Sequence, residues 1–531
     1  MNWHSMKSFR ISSLTAALAL LLCAQPALLA VQRSKGRAAA PVSNKKQLET
    51  LRAQIKQALT EDKYAAARWG VKIVALDSGN LVYEEDADKV FNPASNMKLY
   101  TTITALDRLG ADFKTRTSLY AMSEPDSNGT VKGDLIFYGR GDGNLSGRFN
   151  NGDNLKSLED LANQLKARGV KRIEGNIIGD DSYFNSELIG YGWEWEDLQW
   201  KDGAEISALT IDENVVNMKV TSGAKPGDPC TILLDPSNSY VTIVNNTRTV
   251  DTGQKLDIGI RRGLQDNIIE VWGTVALNDK GSNYQVSVHD PALYAANLLK
   301  SVLGGQGITV TGEARSVNAK QRRQQPLDIS SLKELAFLES IPLSDELKVI
   351  NKESNNLHAE ILLRQLGVKF GTKYLEKPIE RTSVQGPIPT EELGASVVRD
   401  LLKQLGVDTA PLTMKDGSGL SRYDLVTPNA TIALLKYVAG RPYANILIDS
   451  LPIGGVDGTL RRRFASTTAA NNLHAKTGTI SYVNSLSGYV TTTAGQRVIF
   501  SIMINNRTVD SSATAAIDAV CLLLADYKGK L

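Results

Sequence analysis

The segment Phe91-Asn92-Pro93-Ala94-Ser95-Asn96-Met97-Lys98-Leu99 decides how this chain is read. It runs into Thr101 to Leu109 and is closed by Gly110; Pro93 suits the first turn of a helix and Gly110 its end. Residues three apart on a helix lie about 60° apart around the axis, so Ser95 and Lys98 share one face within hydrogen-bonding reach. An amine so placed can take a serine's proton. The same spacing recurs at Ser43/Lys46, Ser222/Lys225 and Ser330/Lys333, but only Ser95 follows a Pro-initiated turn and opens an apolar helix. The pattern therefore gains meaning only from partners elsewhere in the chain.

Two later segments supply them. In Ile350-Asn351-Lys352-Glu353-Ser354-Asn355-Asn356, Ser354 and Asn356 offer a hydroxyl and an amide two residues apart. A regular helix would make these side chains diverge, so a break between two helices is needed to aim both into one cleft. Ser316-x-Asn318 repeats the pattern in a polar linker, where capping a helix is the simpler role. Further on, His474-Ala475-Lys476-Thr477-Gly478-Thr479 reads as an edge strand presenting a cation and hydroxyls.

Around these motifs, Lys45 to Ala67 has helical apolar spacing at Leu48, Leu51, Ile55 and Leu59 and predicts an amphipathic helix. Val71 to Leu76 and Leu81 to Tyr83 flank Asp77-Ser78-Gly79-Asn80 as a hairpin. From about Phe113 to Ser316 short strands broken by Gly, Asn and Asp predict a β-rich insert; Gly139 to Gly147 lacks the ending of a phosphate loop and reads as turn chemistry. Helical spacing returns at Pro291 to Leu303 and Leu343 to Leu366, and Asp416 to Arg422 is a tight glycine-rich turn. The Lys476 strand, Ser485 to Val490 and Val498 to Ile504 predict consecutive antiparallel strands, with a last helix from Ala513 to Tyr527 packed on them.

Bulk properties narrow the field. The 531 residues, 42% apolar, suffice for two to four domains, and 60 basic against 57 acidic residues leave a net charge of +3, without the field of a nucleic-acid binder. Four scattered histidines give no zinc spacing, so no metal or cofactor is expected. Lys7 and Arg10, the apolar run Leu14 to Leu22 and the small residues up to Ala30 predict a signal peptide over 1–30, export to the periplasm or cell envelope, and no stable membrane anchor. The remaining Cys230 and Cys521 do not indicate a disulfide.

With Ser95/Lys98, Ser354/Asn356 and Lys476/Thr477/Gly478 in this order, the chain resembles the penicillin-recognising serine acyltransferases. Asn92 to Ser95, Ser354 to Glu360, Asp416 to Arg422 and Gly455-Val456-Asp457-Gly458-Thr459-Leu460 are similar to D-alanyl-D-alanine carboxypeptidase/endopeptidases of the penicillin-binding protein 4 type. That family carries a large insert between its first two motifs, and 256 positions separate Lys98 from Ser354 here. The resemblance implies an α/β (α+β) fold. It comprises a transpeptidase-like catalytic domain over 40–112 and 320–531, with an antiparallel sheet flanked by helices, and a β-rich insert over 113–319.

The resemblance also implies Ser95 as nucleophile, Lys98 as base, Ser354 as proton donor to the leaving amine and Asn356 as holder of the substrate amide. Lys476 would attract a terminal carboxylate, Thr477 and Thr479 would add hydrogen bonds, and backbone N–H groups of Ser95 and Thr479, across Gly478, would meet the oxyanion. Ile480, Trp195 and Asp197 are candidates for bordering the stem peptide's amine-bearing end. The implied ligands are peptidoglycan stem peptides and β-lactams. Gly143, Asn144 and Asp424 depart from the family pattern, outside the three motifs. A β-lactamase or esterase on the same scaffold is the competing enzyme reading, and a catalytically silent wall-binding protein the competing binding reading.

Overall fold

Val498-Ile499-Phe500-Ser501-Ile502-Met503-Ile504 has no polar alternation because both faces of its strand are covered. In the computed structural model, which describes residues 44–374, 387–508 and 512–531, strand Arg497–Asn505 lies at the centre of a five-stranded antiparallel sheet. The strands run in the order His474–Ile480, Val483–Thr491, Arg497–Asn505, Arg68–Ala75, Leu81–Glu85. Phe500, Ile502 and Ile504 face helices Asn44–Leu59 and Thr514–Ala525, meeting Ile55, Leu59, Ile517 and Val520. Ile499 and Met503 point the other way, into a helical layer with Ile103, Leu362, Val398 and Leu434. Each such fully buried side chain contributes about 1.5–3 kcal/mol.

The first helix ends at Leu59, short of the expected Ala67, because Leu59 is its last core residue and a 3-10 turn at Asp62–Tyr64 then leads into the sheet. The helical spacing over 343–366 is carried by two helices, Leu343–Lys352 and Asn356–Phe370, with the expected break between them. The expected signal peptide lies outside the described residues.

The inserted region builds a second core on strands Arg116–Ala121, Leu135–Tyr138, Ile177–Asp180 and Ala314–Val317, which share one sheet with the later strand Lys333–Glu339. Besides the expected helix near Pro291 it holds one that was not expected. Helix Lys156–Ala167 buries Leu158, Leu161, Ala162 and Leu165 at helical spacing, and helix Pro291–Gly305 packs near it. Cys230 and Cys521 are buried and form no disulfide among the described residues.

Candidate active site

Ser95 sits in a 3-10 turn, Ala94–Asn96, that flows into helix Met97–Leu109. Ala94 adopts φ 46°, a left-handed conformation that is strained for a residue with a Cβ. The turn is held to the sheet: Ser485 Oγ donates to Pro93 O at 2.6 Å, and Asn96 Nδ2 bonds the same hydroxyl. Lys98, one turn further and fully buried, donates to Ser95 Oγ at 2.9 Å, Asn356 Oδ1 at 2.6 Å and Ser418 O at 2.8 Å.

The break between the two helices places the second motif. Ser354 takes φ 61°, and Asn355 caps the following helix by accepting from His358 N at 3.1 Å. Ser354 Oγ then accepts from Lys476 Nζ at 2.8 Å, while Asn356 Nδ2 donates to Asp202 O of the insert at 2.8 Å. Lys476 also donates to Thr477 O at 3.0 Å. The structure thus brings Ser95, Lys98, Ser354, Asn356 and Lys476 together.

The Lys476 strand lies directly against the Ser95 turn. A Cβ on Gly478 would fall 2.7 Å from Pro93 O and 3.0 Å from Ser95 N, so only glycine permits this approach. Thr477 Oγ1 stands 2.7 Å from Thr459 Oγ1, and Thr479 Oγ1 accepts from Asn484 Nδ2 at 3.1 Å. Ile480 ends the strand, half-buried.

Burial pushes Lys98 down to about 8, against the opposing pull of Asp416, Glu360 and Asp202. Lys476 is held well below the usual lysine range by burial and by the Lys98 charge. Two buried ammonium groups so close oppose each other's protonation. Lys98 has three acceptors against two for Lys476.

Sequence reasoning singled out the 416–422 turn without its role. Glu360 accepts from Gly417 N at 2.9 Å and Ser418 N at 2.8 Å, and Asp416 accepts from Gly419 N and Ser421 N at 2.7 Å each, which aims the Ser418 carbonyl at Lys98. The Glu360 side chain is itself paired with Arg364 at 2.9 Å. The signal for such a role was present in the acidic side chains beside three small residues, but the contact spans 58 positions.

Of the insert candidates, Trp195 is 66% exposed and Asp197 is pushed up by burial and by Glu194 and Asp202. Neither hydrogen-bonds a side chain of the Ser95, Lys98, Ser354, Asn356 and Lys476 group. Their loop does border it: Trp193 Nε1 donates to Asp416 Oδ2 at 2.9 Å, and Arg422 links Glu194 at 2.9 Å to Ser481 O at 2.7 Å, just past Ile480. A cavity of about 360 Å3 is lined by Ser354 and Asn356 together with Trp200, Lys201 and Asp202 of the insert. The decoys resolve otherwise. Ser330 Oγ donates to Asp328 at 2.6 Å, and Asn318 closes a capping box on helix Ala319–Gln324.

Comparison with known proteins gives the family. The chain is 34% identical over 493 residues to a D-alanyl-D-alanine carboxypeptidase of Actinomadura sp. (strain R39), covering 91% of this chain and 86% of that protein. It is 28% identical to the D-alanyl-D-alanine carboxypeptidase DacB of Haemophilus influenzae, covering 81% and 84%. The crystal structure of penicillin binding protein 4 from H. influenzae superposes with a TM-score of 0.72 at 27% identity, covering 88% of this chain and 97% of that one. Residues 51–527 match the family model, and the chain belongs to the D-Ala-D-Ala carboxypeptidase 3 (S13) family.

Proposed function

We propose that this chain is a serine D-Ala-D-Ala carboxypeptidase that trims peptidoglycan stem peptides through an acyl-enzyme on Ser95. The observation that carries the reading is the convergence of Lys98 Nζ on Ser95 Oγ and of Lys476 Nζ on Ser354 Oγ in one cleft. Lys98 in its neutral form takes the Ser95 proton as Oγ attacks the peptide carbonyl. The negative charge that forms on the carbonyl oxygen is met by the backbone N–H groups of Ser95 and Thr479, each such donor worth about 3–4 kcal/mol of barrier.

When the carbon–nitrogen bond breaks, Ser354 passes to the departing D-alanine nitrogen the proton that Lys98 took from Ser95, so that Lys98 is neutral again and Ser354 keeps its hydroxyl. The D-alanine carboxylate rests against Lys476, Thr477 and Thr479. Its arrival stabilises the charge on Lys476 and thereby favours loss of the proton from Lys98. Asn356 holds the substrate amide, and water then hydrolyses the ester, returning the proton to Ser95. Ile480, Asp197 and Trp195 border the acyl side, where Asp197 suits an amine on the stem peptide. β-Lactams, which imitate the scissile bond, acylate the same serine.

The chain acts in the periplasm or cell envelope, a reading supported by the signal peptide expected over 1–30. No helix among the described residues is long and apolar enough to cross a membrane. The catalytic domain is interrupted by the insert. Because strand Lys333–Glu339 pairs with Arg116–Ala121, the insert is best taken to close near residue 340, beyond the boundary at 320 read from sequence.

Intact mass spectrometry with penicillin, alongside D-alanine release from diacetyl-Lys-D-Ala-D-Ala, tests the reading. One covalent adduct is expected on the wild type and none on Ser95→Ala. An adduct that survives the substitution removes Ser95 from the nucleophile role, and rapid sustained nitrocefin turnover favours a β-lactamase.

A further inference from the structure

Asp212, Glu213 and Asn214 of the insert adopt φ values of 48°, 56° and 57°, three consecutive left-handed residues that carry a Cβ. Such backbone persists only where its surroundings over-determine it. Here they do. Asn214 Nδ2 donates to Glu205 O at 2.8 Å, Asp212 N to Leu145 O at 2.9 Å, and Val288 N to Asn214 O at 2.9 Å. The loop is thereby fixed to the insert, and it aims the Glu213 side chain at the break between helices Leu343–Lys352 and Asn356–Phe370.

The Glu213 side chain is only 5% exposed. Its Oε1 accepts from Arg148 Nε at 2.6 Å, and its Oε2 from Lys201 Nζ at 2.7 Å and Asn355 Nδ2 at 3.1 Å. Each partner leads to the break that carries Ser354. Asn355 follows Ser354 and caps the next helix, while Arg148 also pairs with Glu353, which precedes it. Lys201 opens the turn Lys201–Gly203, whose Asp202 carbonyl holds Asn356. Both chain neighbours of Ser354 are thus tied to one carboxylate, and the Ser354 hydroxyl is left to Lys476. Burial works against the charge of Glu213, but His358, Lys201 and Arg148 hold its carboxyl down to about 2, so it stays ionised.

We propose that Glu213 is a positioning residue supplied by the insert: by holding Glu353 and Asn355 it fixes the Ser354 hydroxyl where it passes the proton to the leaving nitrogen. This deepens the proposed function and rests on its assignment of Ser354 as proton donor. The nucleophile does not depend on Glu213 in the same way, because Lys98 keeps its bonds to Ser95 Oγ and Ser418 O whatever the loop at Ser354 does. Loss of Glu213 therefore weakens proton delivery more than attack.

The test compares full-length wild type, Glu213→Gln, Glu213→Asp, Asn355→Ser and Ser354→Ala on two substrates. These are diacetyl-Lys-D-Ala-D-Ala and its analogue with a thioester in place of the scissile amide. A departing amine must take a proton as it leaves, whereas a thiolate leaves without one. In Glu213→Gln, kcat/KM for the amide is expected to fall about tenfold or more and for the thioester at most about threefold, with Glu213→Asp intermediate. Asn355→Ser keeps an oxygen able to cap the helix but too short to reach Glu213, so it should show the same selectivity, and it decides the matter if Glu213→Gln does not fold. Ser354→Ala sets the full size of the selective loss. Equal losses on both substrates, or no loss on either, in Glu213→Gln or Asn355→Ser overturn the proposal while the Ser95 reading stands. A Ser354→Ala variant that slows both substrates alike brings down the proton-donor assignment and this inference with it.

Discussion

Lys98 Nζ lies 2.9 Å from Ser95 Oγ inside a site where burial pushes the lysine down to about 8. A base works in its neutral form, so the second-order rate of penicillin acylation should rise with pH and reach half its plateau near the Lys98 value. Lys98→Arg, which stays charged, should lose about 10²–10⁴-fold and the pH limb with it. Stopped-flow acylation with a fluorescent penicillin measures this. A rate that is flat across the neutral-to-alkaline range would argue against Lys98 as the titrating base.

The contact of Gly478 with the Ser95 turn yields a second expectation. In Gly478→Ala the new methyl meets Pro93 O, Ser95 N and Ser485 Oγ, two of them backbone atoms that cannot rotate aside. The strand and the nucleophile's turn must separate, moving the Thr479 and Ser95 N–H groups apart. Loss of one oxyanion donor's worth, about 10²–10³-fold in acylation rate, is expected with the fold retained by circular dichroism. Undiminished acylation would show that the two segments yield without consequence.

Ser354 combines the hydroxyl proposed as proton donor with a strained backbone, at φ 61°. Ser354→Gly removes both, and relief of a left-handed residue is worth about 1–2 kcal/mol. The variant should melt at the same temperature as wild type or higher, yet release D-alanine about 10²–10⁴-fold more slowly, because the proton donor is gone. Ser354→Ala should lose the same activity without the gain in stability. A Gly variant that is both less stable and fully active would contradict each half of the argument.

What was legible in the sequence was local. Ser95 and Lys98 are one helical turn apart, and Lys476, Thr477 and Gly478 are neighbours on a strand, so spacing alone expressed their geometry. The break at Ser354 was demanded by its pairing with Asn356, but the Asn355 cap that starts the next helix was not read. The Ser418 carbonyl was invisible, because a backbone atom carries no residue signature and is aimed by Glu360 far earlier in the chain. Strand Arg68–Ala75 pairs with Arg497–Asn505 across most of the chain, a register that no short-range pattern encodes. Helix Lys156–Ala167 had a readable spacing at Leu158, Leu161 and Leu165, masked by the strand-like segments around it.

Asp424, which stands where asparagine is usual, carries the last expectation. It is fully buried, its Oδ1 accepts from Lys415 N at 2.6 Å, and its Oδ2 has no hydrogen-bond partner among the described residues. Burial and the nearby Asp416 carboxylate hold its pKa well above the ordinary 3.8. An acid that binds its proton more tightly when folded supports the fold at low pH, and its contribution erodes as pH rises from the unfolded value toward the folded one. Asp424→Asn keeps the acceptor for Lys415 and presents a permanent N–H toward Asp416. The variant should therefore be more stable than wild type at about pH 8, by roughly 1–3 kcal/mol for a relieved buried polar group, with the gap closing toward about pH 4. Thermal melts of both proteins across that range provide the measurement. A gap that is constant with pH would mean that Asp424 does not titrate between the folded and unfolded states.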